Sequence, residues 1–201
     1  MTATVQTRSN RLPLLGMVAL FAAPLAAAFW LYYGTGWRPG GTTNHGTLIT
    51  PVSELPSLPL PQPARKELDT LFAGKWSLVV VADGRCAEAC RNSLVYARQT
   101  QLGMGRLGAR MQRVLLATGQ CCDRAYLAQE HAGLRVTDLT GSDALSASRE
   151  PLLAAFAGER QDEQIYIVDP LGNLMMRYDT RLNPKGLRED LKKLLDLSHI
   201  G

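Results

Sequence analysis

The stretch VVVADGRCAEACRNSL, from Val79 to Leu94, decides the fold of this chain. It opens with a β-branched apolar run, continues through Cys86 and Cys90, and ends in a segment with helical spacing. A short apolar run of this composition is typical of a buried strand in the centre of a sheet. The stretch therefore predicts a strand, two thiols beyond its end and a helix that begins near the thiols.

The segments that follow continue the alternation of strands and helices. MQRVLLATG predicts a second strand and DRAYLAQEH a second helix, followed by a short strand in GLRVTDL and a helix in SREPLLAAFAG. EQIYIVD and LMMRYD flank the turn PLGN, which indicates an antiparallel hairpin, and NPKGLREDLKKLLDL predicts a closing helix. A β-α-β unit followed by a hairpin and a helix is the thioredoxin arrangement. We predict an α/β, thioredoxin-like domain over residues 64–201.

An uncharged apolar segment near the N-terminus predicts a transmembrane helix. Residues 12–33 form a run of 22 residues, and at about 1.5 Å per residue such a helix spans the roughly 30 Å hydrocarbon core of a bilayer. Arg8 and Arg11 precede the run, so residues 1–11 are expected in the cytoplasm and the remainder across the membrane. The alternative is a cleaved signal peptide, with Ala26–Ala28 at the cleavage site.

Residues 34–63 are predicted to be a linker because they are rich in glycine and proline. The net charge is +4 and no long basic run occurs, so we expect no nucleic-acid partner. All four cysteines follow the membrane segment. In a bacterium they would lie in the periplasm, where disulfides persist.

The spacing of Cys86 and Cys90 allows three kinds of chemistry. Side chains at i and i+4 share one face of a helix, and a helix N-terminus favours a thiolate. Such a pair can exchange disulfides, hold a soft ion such as Cu(I), or form a structural disulfide. Cys121 and Cys122 are adjacent, and three readings stay open for them: metal ligands, a resolving thiol for the first pair, or a loop pair with no role in the chemistry.

The strand–CxxxC–helix unit, the anchored topology and the ending IYIVDPLGNLMMRY…PKGLREDLKKLL resemble the Sco/SenC family. That family comprises membrane-tethered, thioredoxin-fold proteins that assist assembly of the copper centre of cytochrome c oxidase. The resemblance implies that Cys86 and Cys90 are the family's cysteine pair, and that Asp169, Gly172 and Tyr178 belong to its terminal hairpin. It also implies a bacterial inner-membrane location and, as partners, an oxidase subunit or its assembly factors.

The chain departs from the family pattern at two positions. Arg91 stands where the family has a proline, and Gln161 stands where the family has a histidine that binds copper. His131 is the best remaining candidate for a third copper ligand. The missing histidine favours thiol–disulfide exchange over Cu(I) transfer, with Cys86 as the attacking thiol and Cys90 as the resolving one. The alternatives are a general periplasmic thiol-disulfide or peroxide reductase and a non-catalytic scaffold with a structural disulfide.

Overall fold

The computed structural model describes residues 11–35, 43–56, 71–119, 123–140, 143–157, 161–182 and 184–201. The chain divides into two compact units, Met1–Thr43 and Asn44–Gly201. The two units differ in sequence: the first contains the uncharged apolar run of residues 12–33, and the second contains the alternating strand and helix segments.

The described residues of the first unit form the helix α1 (Arg11–Phe29), which continues as a π-helical turn over Trp30–Gly34. None of the α1 side chains is buried by the protein. The 24 residues of Arg11–Gly34 are long and apolar enough to cross a membrane. The helix is therefore a candidate membrane span, in the place where the uncharged run predicted one.

The second unit is built on a six-stranded sheet in the order β1-β6-β5-β2-β3-β4. The parallel part consists of β2, β3 and β4, and the antiparallel part joins β5 to β2, β6 to β5 and β1 to β6. The strands are β1 (Thr47–Glu54), β2 (Trp76–Ala82), β3 (Met111–Ala117), β4 (Leu134–Asp138), β5 (Gln164–Val168) and β6 (Asn173–Asp179). The expected α/β thioredoxin-like sheet with its terminal hairpin is confirmed.

Helices cover both faces of the sheet because the central strands are apolar on both sides. All seven residues of β2 are buried, and successive side chains point to opposite faces. One core contains α2 and α5 residues, the other contains α4 residues. The helices are α2 (Glu88–Gly103), α3 (Arg124–Glu130), α4 (Asp143–Ala155) and α5 (Pro184–Leu197), with short 3₁₀ turns at Gly105–Arg110 and Gln161–Glu163.

The linker predicted over residues 34–63 is wrong for Thr47–Glu54, which forms β1 and pairs with β6. Pro51 lies inside this strand and argued against a strand in the sequence, because proline has no N–H group to donate. The structure places β1 at the edge of the sheet, and its pairing is interrupted between Leu48 and Ser53. An edge position with interrupted pairing tolerates a proline. The other predicted domain limits stay predictions.

Candidate functional site

The candidate site is a tight turn between β2 and α2. The N–H of Cys86 donates to the Asp83 carbonyl oxygen at 2.9 Å, which closes the turn. The Asp83 carboxylate accepts hydrogen bonds from the backbone and the guanidinium of Arg85, and these bonds lower the pKa of Asp83. The turn carries Cys86 to the start of α2, where Ala87 is the N-terminal cap residue and Cys90 lies in the first turn.

Cys86 and Cys90 are joined by a disulfide, with their Cα atoms 5.1 Å apart. Each residue is only 1% exposed, and both belong to the core between the sheet, α2 and α5. The sequence predicted a helix that begins near the two thiols, and α2 begins two residues after Cys86 and includes Cys90. The disulfide is therefore part of this apolar core.

The backbone of Cys86 has a φ of +49°, in the left-handed region that favours glycine. Arg91 Nε donates a hydrogen bond to the Cys86 carbonyl oxygen at 3.1 Å. The Arg91 N–H donates in turn to the Ala87 carbonyl oxygen at 3.0 Å, as the helix requires. Arg91 therefore contacts the backbone of the first cysteine from one turn along α2.

The Arg91 guanidinium carbon lies 4.6 Å from the centroid of the Tyr126 ring, at a distance typical of a cation–π contact. Tyr126 Oη lies 3.1 Å from His131 Nε2, and the two rings meet edge to face with centroids 5.4 Å apart. His131 is 1% exposed. Burial, and then the charges of Arg113 and Arg98, lower the pKa of His131 and favour the neutral imidazole.

The predicted site residues are brought together only in part. Gln161 begins a 3₁₀ turn whose Asp162 carbonyl oxygen accepts a hydrogen bond from Ser93 of α2 at 2.7 Å. That bond places the turn beside the helix that carries Cys90. Cys121 and Cys122 lie outside the described residues.

Within the described ranges, no cluster of three or more histidine, cysteine, aspartate or glutamate side chains could hold a metal ion. His131 Nε2 is already within hydrogen-bond distance of Tyr126, so metal binding there would break that contact. The two sulfurs form a disulfide, which binds no Cu(I); reduction would supply two thiolates of the soft type that Cu(I) prefers. The oxidised pair is one end state of thiol–disulfide exchange, and Cu(I) binding requires the reduced pair.

Sequence reasoning found Cys86 and Cys90 but missed Tyr126. The sequence separates Tyr126 from Arg91 by a strand and a loop, so no local spacing indicates the contact. Only the parallel packing of β2 and β3 brings α3 to the start of α2.

A sheet with this strand order and a cysteine pair after its first parallel strand defines the thioredoxin-like class. The chain belongs to the family described as "transmembrane-like, thioredoxin-like, C-terminal domain", whose profile matches residues 76–198. The matched region begins at β2 and ends after α5, so it includes the whole candidate site.

Solved structures of Sco proteins share the fold. The apo Sco1 protein from Thermus thermophilus has a TM-score of 0.54 at 16% identity, over 77% of this chain and 99% of that one. Yeast Sco1 with copper bound has a TM-score of 0.51 at 14% identity, over 63% of this chain and 82% of that one. Arabidopsis thaliana ScoI with copper bound gives 0.50 at 15% identity, over 63% and 88%. No curated protein matches the chain. The fold is Sco/SenC-like.

Proposed function

We propose that this protein is a membrane-anchored thiol–disulfide exchange protein. Its client is a copper-containing cytochrome c oxidase, whose assembly it assists. It acts on the periplasmic side of the bacterial inner membrane. The observation that carries the proposal is the disulfide between Cys86 and Cys90 at the junction of β2 and α2. The Sco-like fold and the apolar helix Arg11–Gly34 support the oxidase client and the membrane location.

The exchange starts from the reduced pair. The Cys86 thiolate attacks a disulfide in the client, forms a mixed disulfide and releases the first client thiolate. The Cys90 thiolate then attacks the Cys86 sulfur, releases the second client thiolate and closes the Cys86–Cys90 disulfide. Two electrons pass to the client, whose two freed thiols can then bind copper. The disulfide in the structure is the product of this step.

We assign the roles of the two cysteines from their positions along the chain. Cys86 lies in the turn before α2, beside the exposed Arg85, whereas Cys90 lies inside the first helical turn. We assign the attack on the client to Cys86, because it lies in the turn before the helix. Resolution needs only a partner within reach, and a Cα separation of 5.1 Å provides it.

The experiment uses the full chain with cysteine variants expressed in the native membrane. Cys90→Ser should accumulate a mixed disulfide with a client, and Cys86→Ser should not, because the attacking thiol is gone. Non-reducing electrophoresis followed by mass spectrometry identifies the trapped client. An oxidase subunit supports the proposal. Trapping of many unrelated proteins would indicate a general reductase instead, and no trapping with normal oxidase assembly would indicate a structural disulfide.

Transfer of Cu(I) is a second candidate, favoured by the short distance between two cysteines that can become thiolates. A Cu(I) competition titration of the reduced full chain in detergent, with Cys86→Ser and Cys90→Ser as controls, tests it. Binding of one ion that both variants lose would support copper transfer. An unchanged chelator signal would exclude it and leave disulfide exchange.

A further inference from the structure

Arg91 makes two contacts beside the disulfide that disulfide exchange by itself does not require. Arg91 contacts the Cys86 carbonyl oxygen on one side and the Tyr126 ring on the other. Arg91 is an exposed residue of α2, and exposed arginine side chains are normally free to change rotamer. The guanidinium of Arg91 is held by contacts on two sides, so the side chain has lost this rotamer freedom. The two contacts therefore indicate that the position of the guanidinium matters.

The first consequence concerns the backbone of Cys86. The left-handed region is strained for a residue other than glycine, so surrounding contacts must hold Cys86 there. Two hydrogen bonds do so, one from its own N–H to Asp83 and one from Arg91 to its carbonyl oxygen. Arg91 thereby fixes the orientation of the peptide group that follows Cys86, the residue that carries the attacking sulfur.

The second consequence concerns charge. The guanidinium lies against the same residue that carries the sulfur, within the screening length of about 8 Å at physiological salt. Reduction of the disulfide creates a thiolate, and a neighbouring cation stabilises that anion. Arg91 therefore favours the reduced state of the pair.

The third consequence concerns Tyr126, which holds the guanidinium in place. A cation over the face of a tyrosine ring is attracted by the negative charge of that face. The ring is itself oriented by its hydroxyl contact with the buried His131. The ring packs against the core that contains the two cysteines, and it contacts the guanidinium of Arg91 directly.

We propose that Arg91 is the positioning residue of the Cys86–Cys90 pair, that it raises the reduction potential of the pair, and that Tyr126 acts by holding Arg91. This inference rests on the proposed exchange function and names the residues that tune it. Arg91 stands at the position where the resembling family has a proline, so the device belongs to this chain's own sequence.

The test is the reduction potential of the full chain in detergent micelles, equilibrated in glutathione redox buffers at neutral pH. Trypsin cuts the wild type after Arg85 and Arg91, so one peptide holds both Cys86 and Cys90. In Arg91→Met this peptide extends to Arg98, in Arg85→Met it starts at Trp76, and both still exclude Cys121 and Cys122. Mass spectrometry of this peptide after alkylation measures the pair separately from the other two cysteines. The wild-type chain should pass from oxidised to reduced in one step.

Arg91→Met keeps the length of the side chain and removes its charge and its hydrogen bond. We expect the equilibrium constant for reduction to fall at least tenfold, which corresponds to about 30 mV towards a more negative potential. Arg91→Lys keeps the charge and should remain within threefold of the wild type. Tyr126→Ala should shift the potential in the same direction as Arg91→Met, and Tyr126→Phe, which keeps the ring, should remain within twofold.

Arg85→Met is the matched control. Arg85 also flanks the pair, but its guanidinium is paired with Asp83 and its side chain is 75% exposed. Its loss should change the equilibrium constant less than twofold. The double variant Arg91→Met with Tyr126→Ala should match Arg91→Met alone, because the ring acts through the arginine.

Three results would overturn the inference: an unchanged potential in Arg91→Met, an equal shift in Arg85→Met, or additive shifts in the double variant. A Lys variant as impaired as the Met variant would overturn the electrostatic part. Failure of the proposed exchange function gives a different result from failure of this inference. In that case the wild-type cysteine pair would not equilibrate with glutathione under native conditions. Circular dichroism of each variant checks that the fold is retained.

Discussion

Asp190 of α5 offers the sharpest test of how β1 is attached to the domain. Asp190 is 3% exposed, and its Oδ2 atom accepts backbone hydrogen bonds from His45 at 2.7 Å and from Gly46 at 2.9 Å. These two residues lead directly into β1. Asp190→Ala should therefore destabilise the second unit and release the start of the edge strand.

The size of the effect follows from the contacts. A hydrogen bond to a charged group contributes about 1.5–3 kcal/mol, and Asp190 makes two. The other carboxylate oxygen is buried and has no partner within the described part of the chain, so its removal returns some desolvation energy. We expect a net loss of about 3 kcal/mol in the free energy of unfolding. For a unit of this size the melting temperature should fall by about 6–12 °C.

Thermal unfolding of the full chain in detergent measures the loss, and hydrogen exchange of the peptide covering Thr47–Glu54 locates it. Glu189→Gln is the matched control, because the adjacent Glu189 only pairs with His45 at the surface, where such a pair contributes about 0.5 kcal/mol or less. Equal stability of Asp190→Ala and the wild type, or equal losses in both variants, would refute the reasoning.

Three further predictions concern the rest of the second unit. Arg110→Ala should lower the free energy of unfolding by about 2 kcal/mol, because the guanidinium donates to four carbonyl oxygens in the last seven residues. Urea unfolding measures this loss. Full recovery of stability in Arg110→Lys would show that these four hydrogen bonds are not its cause. Gly108→Ala should cost about 1–3 kcal/mol in the same assay because an added Cβ would lie 2.5 Å from the Gln101 carbonyl oxygen. Burial, and then Arg113, lower the pKa of His131. The unfolded chain therefore takes up a proton below about pH 6.5 that the folded chain refuses, so stability should fall as the pH drops towards the folded pKa. His131→Gln should weaken that pH dependence, and an unchanged slope would refute it.

The sequence carried the central part of the fold. The apolar run of β2 and the hairpin of β5 and β6 are local patterns, and each forms close to its predicted limits. The cysteine pair was found for the same reason, since its place after the first parallel strand follows from the order of elements. These features depend on residues that are neighbours in the chain, so a pattern of spacing is enough to predict them.

Long-range contacts decided what the sequence did not show. Pro51 made Thr47–Glu54 look like a linker, and only the free edge of β6 explains why it forms a strand. The contact between Arg91 and Tyr126 likewise depends on the packing of α2 beside α3. The contacts that stabilise an edge strand or a cation–π pair join residues that are far apart in the chain. No local pattern of spacing in the sequence therefore indicates them. The sequence by itself therefore determined the order of strands and helices and the position of the cysteine pair. The tertiary structure decided which strand lies at the edge beside β6 and which side chains surround the disulfide.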